Sequence, residues 1–501
     1  MATSMIDYSK FKKAQAEPEA SSMIETFRAI GYSIESAIAD IIDNSVAAEA
    51  KNIWIDYDWN GEATTISILD DGRGMNNLEL INAMRPGSKN PLDVREEKDL
   101  GRFGLGLKTA SFSQCRKFSV ISKNKVGETS WWCWDLDYVK LSKSWTLIDY
   151  YPNDFILQKI KQSTKGTAVI WWDIDRLTKG AQAENTEAMD KFMKAMDRTK
   201  RHLSMVFHRF IKDGLKIYFK EREIEPWDPF MIGVDGLQLK ADAYLNNRRI
   251  LVKGFVLPHR SKLTVEQYNY GKGPKDSWTS QQGFYVYRNK RLLVAGDWLG
   301  IGGFKKEVHY DLCRILIDLP NDCDDEWQID IKKSIARPPL KFREQILSIA
   351  KDVRAQAVEV YRHKGKLIKR KYSQTEDQFL WEDYKRHEKR FYKLNRKHPV
   401  LRQLLQDAGS YRSEIENALR FIEETIPVPL ITLKENENEI PHGQPFEGTS
   451  HDLILVTMKA MYKNLIGQGK QAEQAKAIIL GIEPFLFYPQ YIENLNSNRN
   501  D

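Results

Sequence analysis

The sequence predicts an α+β protein of several domains, and three observations support this. The chain has 501 residues, more than one hydrophobic core usually organises. Its composition, 42% hydrophobic and 29% charged, is that of a globular protein. Helical and strand-like apolar patterns alternate along residues 1–180, and the strands are short and separated by glycine-rich and polar turns. Such a pattern is typical of helices packed on an antiparallel sheet.

The first zone, residues 1–180, contains one clear helix and five short strands. Apolar residues recur at helical spacing over residues 33–50, for example at Ala37, Ile38 and Ile41. Strands are predicted at residues 52–57, 64–69, 117–122, 129–136 and 166–172. We therefore predict a domain over residues 1–180 with an antiparallel sheet.

The remaining chain divides into a strand-rich zone and a mainly helical zone. A long helical pattern at residues 183–211 leads into the second zone. Strands are predicted there at residues 215–219, 250–256, 283–287, 315–318 and 327–331. Beyond Pro339 the pattern is mostly helical to Glu424, followed by a loop at residues 426–447 and a final helical pair. We therefore predict a second domain at 181–345 and a mainly helical third domain at 346–501.

The positive charge is concentrated in one part of the chain. Lysine and arginine total 76 against 69 aspartate and glutamate residues, a formal net charge of +7. Residues 351–400 contain 15 basic and 7 acidic residues, a net charge of +8, so the rest of the chain sums to −1. A basic block with interspersed aromatic residues suits a polyanion, and DNA is the partner we expect there. The alternative is a solvated helical face whose aromatic side chains pack inward.

Membrane and disulfide-rich proteins are excluded as classes. The longest apolar runs, such as residues 477–480, are far shorter than the ~20 residues of a membrane-spanning helix, so no membrane partner is expected. The N-terminal residues carry Asp7 and lack the apolar run of a secretory signal. The four cysteines contain no C-x-x-C pair, which suits a reducing, cytoplasmic location.

Two segments of the first zone carry side chains that can bind a nucleotide. Asp40 and Asn44 lie four residues apart on the predicted helix, so both point the same way. The amide oxygen of Asn44 can bind a hard cation such as Mg²⁺, and a carboxylate one turn earlier can orient or deprotonate a water. The second segment, ISILDDGRGM at residues 66–75, runs from a strand into Asp70. An acid at this position can accept from the adenine amino group and would repel the guanine oxygen, which favours ATP over GTP. Gly72 and Gly74 let the backbone approach the base closely.

Two further segments suit phosphate and adenine binding. GRFGLGLK, residues 101–108, has three glycines before a predicted helix, and backbone N–H groups at a helix start can bind phosphates. KGT, residues 165–167, enters a strand, and the Thr167 hydroxyl can share a water with Asp70 and adenine. The chain has no G-x-x-x-x-G-K-[ST], and no G-x-G-x-x-G follows a strand, so neither a P-loop nor a dinucleotide fold is indicated.

The set IADIIDNS, LDDGRGM, GRFGLGLK and KGT resembles the N box and glycine boxes of the GHKL ATPases. That superfamily includes gyrase B, heat-shock chaperones, histidine kinases, MutL and MORC proteins. The resemblance covers residues 30–175 and implies a Bergerat-type fold that binds ATP and Mg²⁺ under a lid at residues 84–103. The nucleotide-binding residues that it implies are Asp43, Asn44 (also the Mg²⁺ ligand), Asp70, Gly72, Gly74, Met75, Ser88, Lys89, Gly101, Arg102, Phe103, Gly104, Leu105, Gly106, Leu107, Lys108 and Thr167.

Within the superfamily the chain most resembles MutL and MORC proteins. Residues 283–302, with Asn289 and Arg291, are similar to a strand of their transducer domain. Residues 327–333 resemble a later transducer strand, after which the family sends a lysine to the γ-phosphate. Lys332 and Lys333 are both candidates for this catalytic lysine. The resemblance covers roughly residues 20–345 and leaves the C-terminal region unassigned.

Asp40 is a departure from the family pattern, because the family usually has glutamate there as the base for the attacking water. Glu35 and Glu49 lie on other faces of the predicted helix, so Asp40 remains the candidate. Its side chain is one methylene shorter, and we therefore expect slow ATP hydrolysis. The family also often has aspartate where this chain has Ala47, which leaves Asp43 and Asp70 to order the pocket.

The resemblance implies an ATP-gated homodimer that acts as a clamp or switch on DNA. DNA repair, restriction and anti-phage defence are the expected settings, with a nuclease or helicase as the effector protein. Two other functions remain open: an ATPase resembling the heat-shock chaperones, and a scaffold that binds ATP without useful hydrolysis. A histidine kinase would need a phosphoacceptor helix before the ATPase segment, whereas His387 lies far after it.

Overall fold

The computed structural model describes residues 9, 11–88, 104–246, 248–324, 326–330, 332–363, 380–386, 389–428, 431, 451–467, 469–480, 482, 485, 488–492 and 495. These residues form two compact units. The first comprises residues 1–305 and 312–353, and the second comprises residues 306–311 and 354–501. The predicted domain limits at 180 and 345 remain a prediction.

A seven-stranded sheet dominates the first part of the first unit. Its strands are β1 (Asn52–Asp58), β2 (Thr65–Asp70), β3 (Lys117–Lys123), β4 (Thr129–Asp135), β5 (Gly166–Trp172), β6 (Lys216–Phe219) and β7 (Arg222–Glu223). Their order across the sheet is β4-β3-β5-β2-β1-β6-β7. All neighbouring pairs are antiparallel except β1 and β6, which run parallel. The five strands predicted before residue 180 are therefore present and lie in one sheet.

Helices precede, connect and follow these strands. They are α1 (Ala20–Arg28), α2 (Ile34–Ala47), α3 (Asn77–Met84), α4 (Gly106–Gln114), α5 (Leu136–Ser142), α6 (Asp154–Gln162), α7 (Asp175–Thr178), α8 (Thr186–Val206), α9 (His208–Lys212) and α10 (Val265–Lys272). Two helix starts are fixed by side-chain caps. The Ser33 hydroxyl accepts from a backbone N–H of α2, and Asn76 and Glu79 form a capping box at α3. The apolar stripe of α2 is buried as predicted, for example at Ala37, Ile38 and Ile42.

A second sheet of five strands follows in the same unit. Its strands are β8 (Gln238–Leu245), β9 (Ile250–Val256), β10 (Gly283–Arg288), β11 (Arg291–Asp297) and β12 (Cys313–Leu319), in the order β11-β10-β12-β9-β8. The strand predicted at residues 327–331 is wrong over its described positions, because residues 327 and 328 lie in a turn and residues 329 and 330 have no regular secondary structure. The Asp330 carboxylate accepts from the backbone N–H groups of Ser334 and Ile335, and this competes with strand pairing.

One hydrophobic core joins the two sheets of the first unit. Ile38 of α2 and Trp171 of β5 belong to the same buried cluster as Tyr285 of β10 and Leu316 of β12. Helix α8 contributes Leu203 to this cluster and contacts both α2 and β11. Because side chains from both sheets share a core, residues of the second sheet can reach α2.

The second unit is mostly helical, as predicted, with one exception. Its helices are the end of α11 (Leu340–His363), α12 (Pro399–Asp407), α13 (Arg412–Glu424), α14 (His451–Gly467) and α15 (Ala472–Leu480). The helical pattern predicted up to residue 424 is wrong at an antiparallel hairpin of β13 (Trp381–Arg386) and β14 (Lys389–Leu394). Its aromatic-rich sequence favours strand over helix. Residues 364–379 of the basic block and residues 432–450 after α13 lie outside the described residues.

None of the helices in the described part of the chain is both long enough and apolar enough to cross a membrane.

Candidate functional site

A cavity of about 260 Å³ lies in the first unit, where α2, the end of β2 and the start of α4 meet the turn after residue 328. Residues from all four sequence segments line it, together with Arg288 of the second sheet and residues of the turn. The predicted site residues that line it are Asp40, Asn44, Asp70, Gly74, Met75, Ser88, Gly104, Gly106, Leu107, Lys108, Thr167 and Lys333. The fold therefore brings most of the predicted site together around one space.

The other predicted site residues fall into three groups. Asp43 is buried next to Asp40, and Gly72 follows Asp70, but neither lines the cavity. Leu105 lines a neighbouring apolar cavity instead, and Lys332 lines neither. Lys89, Gly101, Arg102 and Phe103 lie outside the described residues, as does most of the predicted lid.

Asp70 is held in a fixed orientation at the end of β2. Its Oδ2 accepts from the Ser45 hydroxyl at 2.7 Å, and its Oδ1 accepts from the Gly72 backbone N–H at 2.9 Å. Burial raises the pKa of Asp70, although these hydrogen bonds favour the carboxylate. Ser45 ends the quoted segment IADIIDNS, directly after Asn44 on α2, but it was not among the predicted site residues. Its position beside a motif residue was the signal that could have found it.

Two hydroxyl groups meet beside Asp70 on neighbouring strands. Thr167 of β5 pairs with Asp70 of β2 in the sheet register. The Thr167 and Ser122 hydroxyl oxygens are 2.8 Å apart, and the Met75 N–H donates to the Ser122 hydroxyl at 2.9 Å. Ser122 lies on β3 in no motif, so only the register of β3 against β5 reveals it.

Gly74 allows the turn after β2 to pack closely on β3. Its φ of +69° lies in the left-handed region that favours glycine. A Cβ at this position would lie 1.8 Å from the Lys123 carbonyl oxygen, a distance that no side chain can tolerate. The glycine is therefore required by the wall of the cavity.

Helix α4 begins at Gly106, at the edge of the cavity. The first N–H groups of a helix lack partners within it and suit an anion. Lys108, two residues into α4, is 2% exposed, and its ammonium donates to the carbonyl oxygens of Ala83, at 2.9 Å, and Gly104. Burial lowers the pKa of Lys108 to about 7. Its side chain therefore fixes the backbone at the ends of α3 and the glycine turn.

Asp40 and Asp43 of α2 are linked to the second part of the unit by two cations. The Lys333 ammonium donates to Oδ1 of Asp40 at 3.1 Å and to Oδ2 of Asp43 at 2.6 Å. The Arg291 guanidinium donates to Oδ1 of Asp43 at 2.8 Å. The Tyr32 hydroxyl donates to Oδ2 of Asp40 at 2.8 Å.

The two carboxylates differ in their protonation energetics. Burial opposes ionisation of Asp43, but Arg291 and Lys333 outweigh it and hold its pKa below the ordinary value. Burial raises the pKa of Asp40, which Lys333 only partly offsets, and the charge of Asp43 raises it further. Asp40 is therefore the more basic of the two groups. Arg291 was part of a recognised motif but was not assigned to the site, and no motif pointed to Tyr32.

The structure also separates the two candidate lysines. Lys333 has a φ of +51°, and this left-handed residue follows the turn that Asp330 stabilises. The backbone thereby directs the Lys333 side chain to α2, whereas Lys332 is half-buried outside the cavity.

Residues 32–167 match the family described as histidine kinase-, DNA gyrase B-, and HSP90-like ATPase. This span contains Asp40, Asn44, Asp70, Gly106 and Thr167. Residues 32–167 are therefore a domain of the GHKL ATPase type, and the predicted GHKL resemblance and α+β fold are confirmed.

Two relatives place the chain near MutL and MORC proteins within that family. ATPase morc-1 of Caenorhabditis elegans is 34% identical over 89 residues, which are 18% of this chain and 10% of the relative. The DNA mismatch repair protein MutL of Dictyoglomus turgidum is 23% identical over 325 residues, which are 62% of this chain and 50% of the relative. The chain thus spans half or less of the length of these curated relatives.

The ATPase and transducer domains of DNA topoisomerase II from Balamuthia mandrillaris are a similar solved structure. The similarity covers 66% of this chain and 86% of that chain, at 12% identity and a TM-score of 0.36.

Proposed function

We propose that this chain binds ATP in the described cavity and hydrolyses it slowly to ADP and phosphate. The observation that carries the proposal is the convergence of Asp70, Asp40 and Lys333 on one cavity. The first can select adenine, and the other two can act at the terminal phosphate. The family match supports the same activity.

We assign adenine recognition to the residues at the end of β2. Asp70 has both oxygens oriented by Ser45 and Gly72, and each oxygen retains acceptor capacity for the adenine amino group. Thr167 and Ser122 supply hydroxyl groups beside it. The close turn at Gly74 would let the backbone lie next to the base.

We assign phosphate binding to the start of α4, where Gly106 and Leu107 line the cavity. Asn44 is exposed and lines the same cavity. Its side-chain N–H donates to the backbone carbonyl oxygen of Asp40 at 3.1 Å. This orients the amide oxygen as an oxygen ligand of the kind that Mg²⁺ prefers, so the residues fit the ion. Mg²⁺ bound there would neutralise phosphate charge.

Asp40 is the proposed general base. In the hydrolysis step a water oxygen forms a bond to the γ-phosphorus, and the bond from that phosphorus to the β–γ bridging oxygen breaks. The water proton passes to Asp40, and the bond electrons leave with ADP. Both Asp40 oxygens already accept hydrogen bonds, from Lys333 and Tyr32, which stabilise the carboxylate and partly offset the rise in its pKa that burial causes. Together with the short side chain, this supports slow turnover.

The direct test of the proposed function is phosphate release and calorimetric ATP binding by wild type, Asp70→Asn and Asp40→Asn. Asp70→Asn should abolish ATP binding, because its amide N–H would oppose the adenine amino group. Asp40→Asn should bind ATP and lose hydrolysis. Asp58→Asn, exposed at the end of β1, is the matched control and should behave as wild type. A wild-type chain that ignores ATP would refute the proposal.

A scaffold that binds ATP without useful hydrolysis is the second candidate. The engagement of both Asp40 oxygens favours it. Equal phosphate release by wild type and Asp40→Asn, with ATP binding intact, would select this function.

We further propose that ATP drives homodimer formation and that the dimer acts as a clamp or switch on DNA. Similarity to a DNA mismatch repair protein and to a MORC ATPase supports this, as does the net charge of +8 in residues 351–400. Repair, restriction or anti-phage defence with a nuclease or helicase effector is the setting we propose. The four cysteines are free thiols, which supports a cytoplasmic location.

The dimer and DNA proposals are tested by sizing the protein with and without a non-hydrolysable ATP analogue. Duplex DNA is then added at two salt concentrations. The analogue should double the particle mass, and DNA binding should weaken steeply with salt. Stimulation of hydrolysis by an unfolded client protein, and not by DNA, would instead select the chaperone-like alternative.

A further inference from the structure

One side chain outside all of the sequence motifs contacts the Asp40 carboxylate. Tyr32 lies in the segment before α2, and its hydroxyl donates to Oδ2 of Asp40 at 2.8 Å. The Tyr32 side chain is 8% exposed, and the side-chain amide of Gln114 donates to the Tyr32 carbonyl at 3.2 Å. Tyr32 is therefore fixed both at its backbone and at its hydroxyl.

The two oxygens of Asp40 have different surroundings. Oδ1 accepts from Lys333 at 3.1 Å. Oδ2 accepts from Tyr32, and a Cβ added to Gly106 would lie 3.7 Å from it. Oδ2 thus lies beside the helix start at which we propose that phosphate binds.

We infer that Tyr32 is a positioning residue, which fixes the rotation of the Asp40 carboxylate for deprotonation of the attacking water. This inference rests on the proposed ATP hydrolysis. The aspartate side chain is one methylene shorter than that of glutamate. The orientation of the Asp40 carboxylate therefore decides whether one of its oxygen lone pairs points at the attacking water. Misplacement of a reacting group by ~1 Å can cost about 100-fold in rate.

The test measures kcat from phosphate release and the dissociation constant of a non-hydrolysable ATP analogue in the full chain. The variants are Tyr32→Phe, Asp40→Asn and the double variant. Tyr32→Phe should lower kcat by roughly tenfold, since it removes one hydrogen bond to a charged group, and change the dissociation constant less than twofold. The double variant should match Asp40→Asn, because the inferred effect of Tyr32 on turnover passes through that carboxylate.

Tyr285→Phe is the matched control. Tyr285 is also buried, and its hydroxyl donates to the Gln281 backbone carbonyl at 2.7 Å, away from the cavity. The Tyr285→Phe variant should show a decrease in the free energy of unfolding similar to that of Tyr32→Phe, and its kcat should equal that of wild type.

Three results would overturn the inference. The first is an unchanged kcat in Tyr32→Phe. The second is a decrease in kcat caused by Tyr32→Phe that is equally large when Asp40 is already replaced by Asn. In both cases hydrolysis by wild type still stands. If wild type and Asp40→Asn release phosphate equally, the proposed hydrolysis fails as well, and Tyr32 has no catalytic carboxylate to position.

Discussion

Ser45 shows how the side chain of a single residue can orient another, here the Asp70 carboxylate that we propose binds adenine. Its hydroxyl donates to Asp70 at 2.7 Å inside the protein, where hydrogen bonds to charged groups contribute about 1.5–3 kcal/mol. Ser45→Ala should therefore weaken ATP binding by roughly tenfold, as measured by calorimetry. Ser113→Ala is the control, since it removes a buried hydroxyl of α4 that donates to the Ala110 carbonyl and does not line the cavity. Equal affinities in the two variants would contradict the role of Ser45.

Lys108 predicts a pH dependence of stability. Burial lowers its pKa from 10.5 to about 7, so between these values the lysine is neutral when folded and charged when unfolded. The unfolded chain then binds more protons, and the free energy of unfolding rises with pH, by of order 1 kcal/mol per pH unit. Urea titrations at pH 7.5 and 9 should show this rise in wild type and a smaller one in Lys108→Met. Parallel behaviour of the two proteins would rule out the shifted lysine.

At the scale of elements, the turn between β2 and α3 depends on contact with β3. Gly74→Ala places a Cβ 1.8 Å from the Lys123 carbonyl oxygen at a φ of +69°. Gly127→Ala has a comparable φ of +92° but open space around its Cβ, so it isolates backbone strain from the clash. We expect about 1 kcal/mol of destabilisation from Gly127→Ala and at least about 2 kcal/mol more from Gly74→Ala, by chemical denaturation. Similar losses in both would show that the turn can move away from β3.

The link between α2 and β11 rests on a buried ion pair. Arg291 is 4% exposed and Asp43 is 2% exposed, so Arg291→Met leaves Asp43 buried with Lys333 as its remaining cation. Loss of one partner of a buried pair costs about 3 kcal/mol, whereas an exposed pair contributes under about 1 kcal/mol. Arg198→Met, which removes the exposed partner of Glu35, is the matched control. Denaturation curves that coincide for the two variants would exclude a stabilising role for the link.

Residues of this site that depend on local structure could be predicted from the sequence, whereas contacts between distant segments could not. Asp40, Asn44 and Asp70 could be predicted because each belongs to a short segment whose helix or strand alone directs the side chain. Arg291 and Asp43 are 248 residues apart, and their contact depends on the packing of two sheets. The choice of Lys333 over Lys332 depends on a left-handed backbone position, for which neighbouring sequence carries little signal.

For the whole molecule, the parallel pairing of β6 with β1 has a practical consequence for fragments of the chain. β6 follows the long helix α8, yet it pairs with the side of β1 that faces away from β2 in the first sheet. A recombinant fragment truncated at residue 180 would expose the backbone hydrogen-bonding groups of β1, and such edges invite aggregation. Extension to residue 353 would retain β6 and the common core. We expect light scattering to reveal particles of heterogeneous mass for the shorter fragment and a uniform species for the longer one.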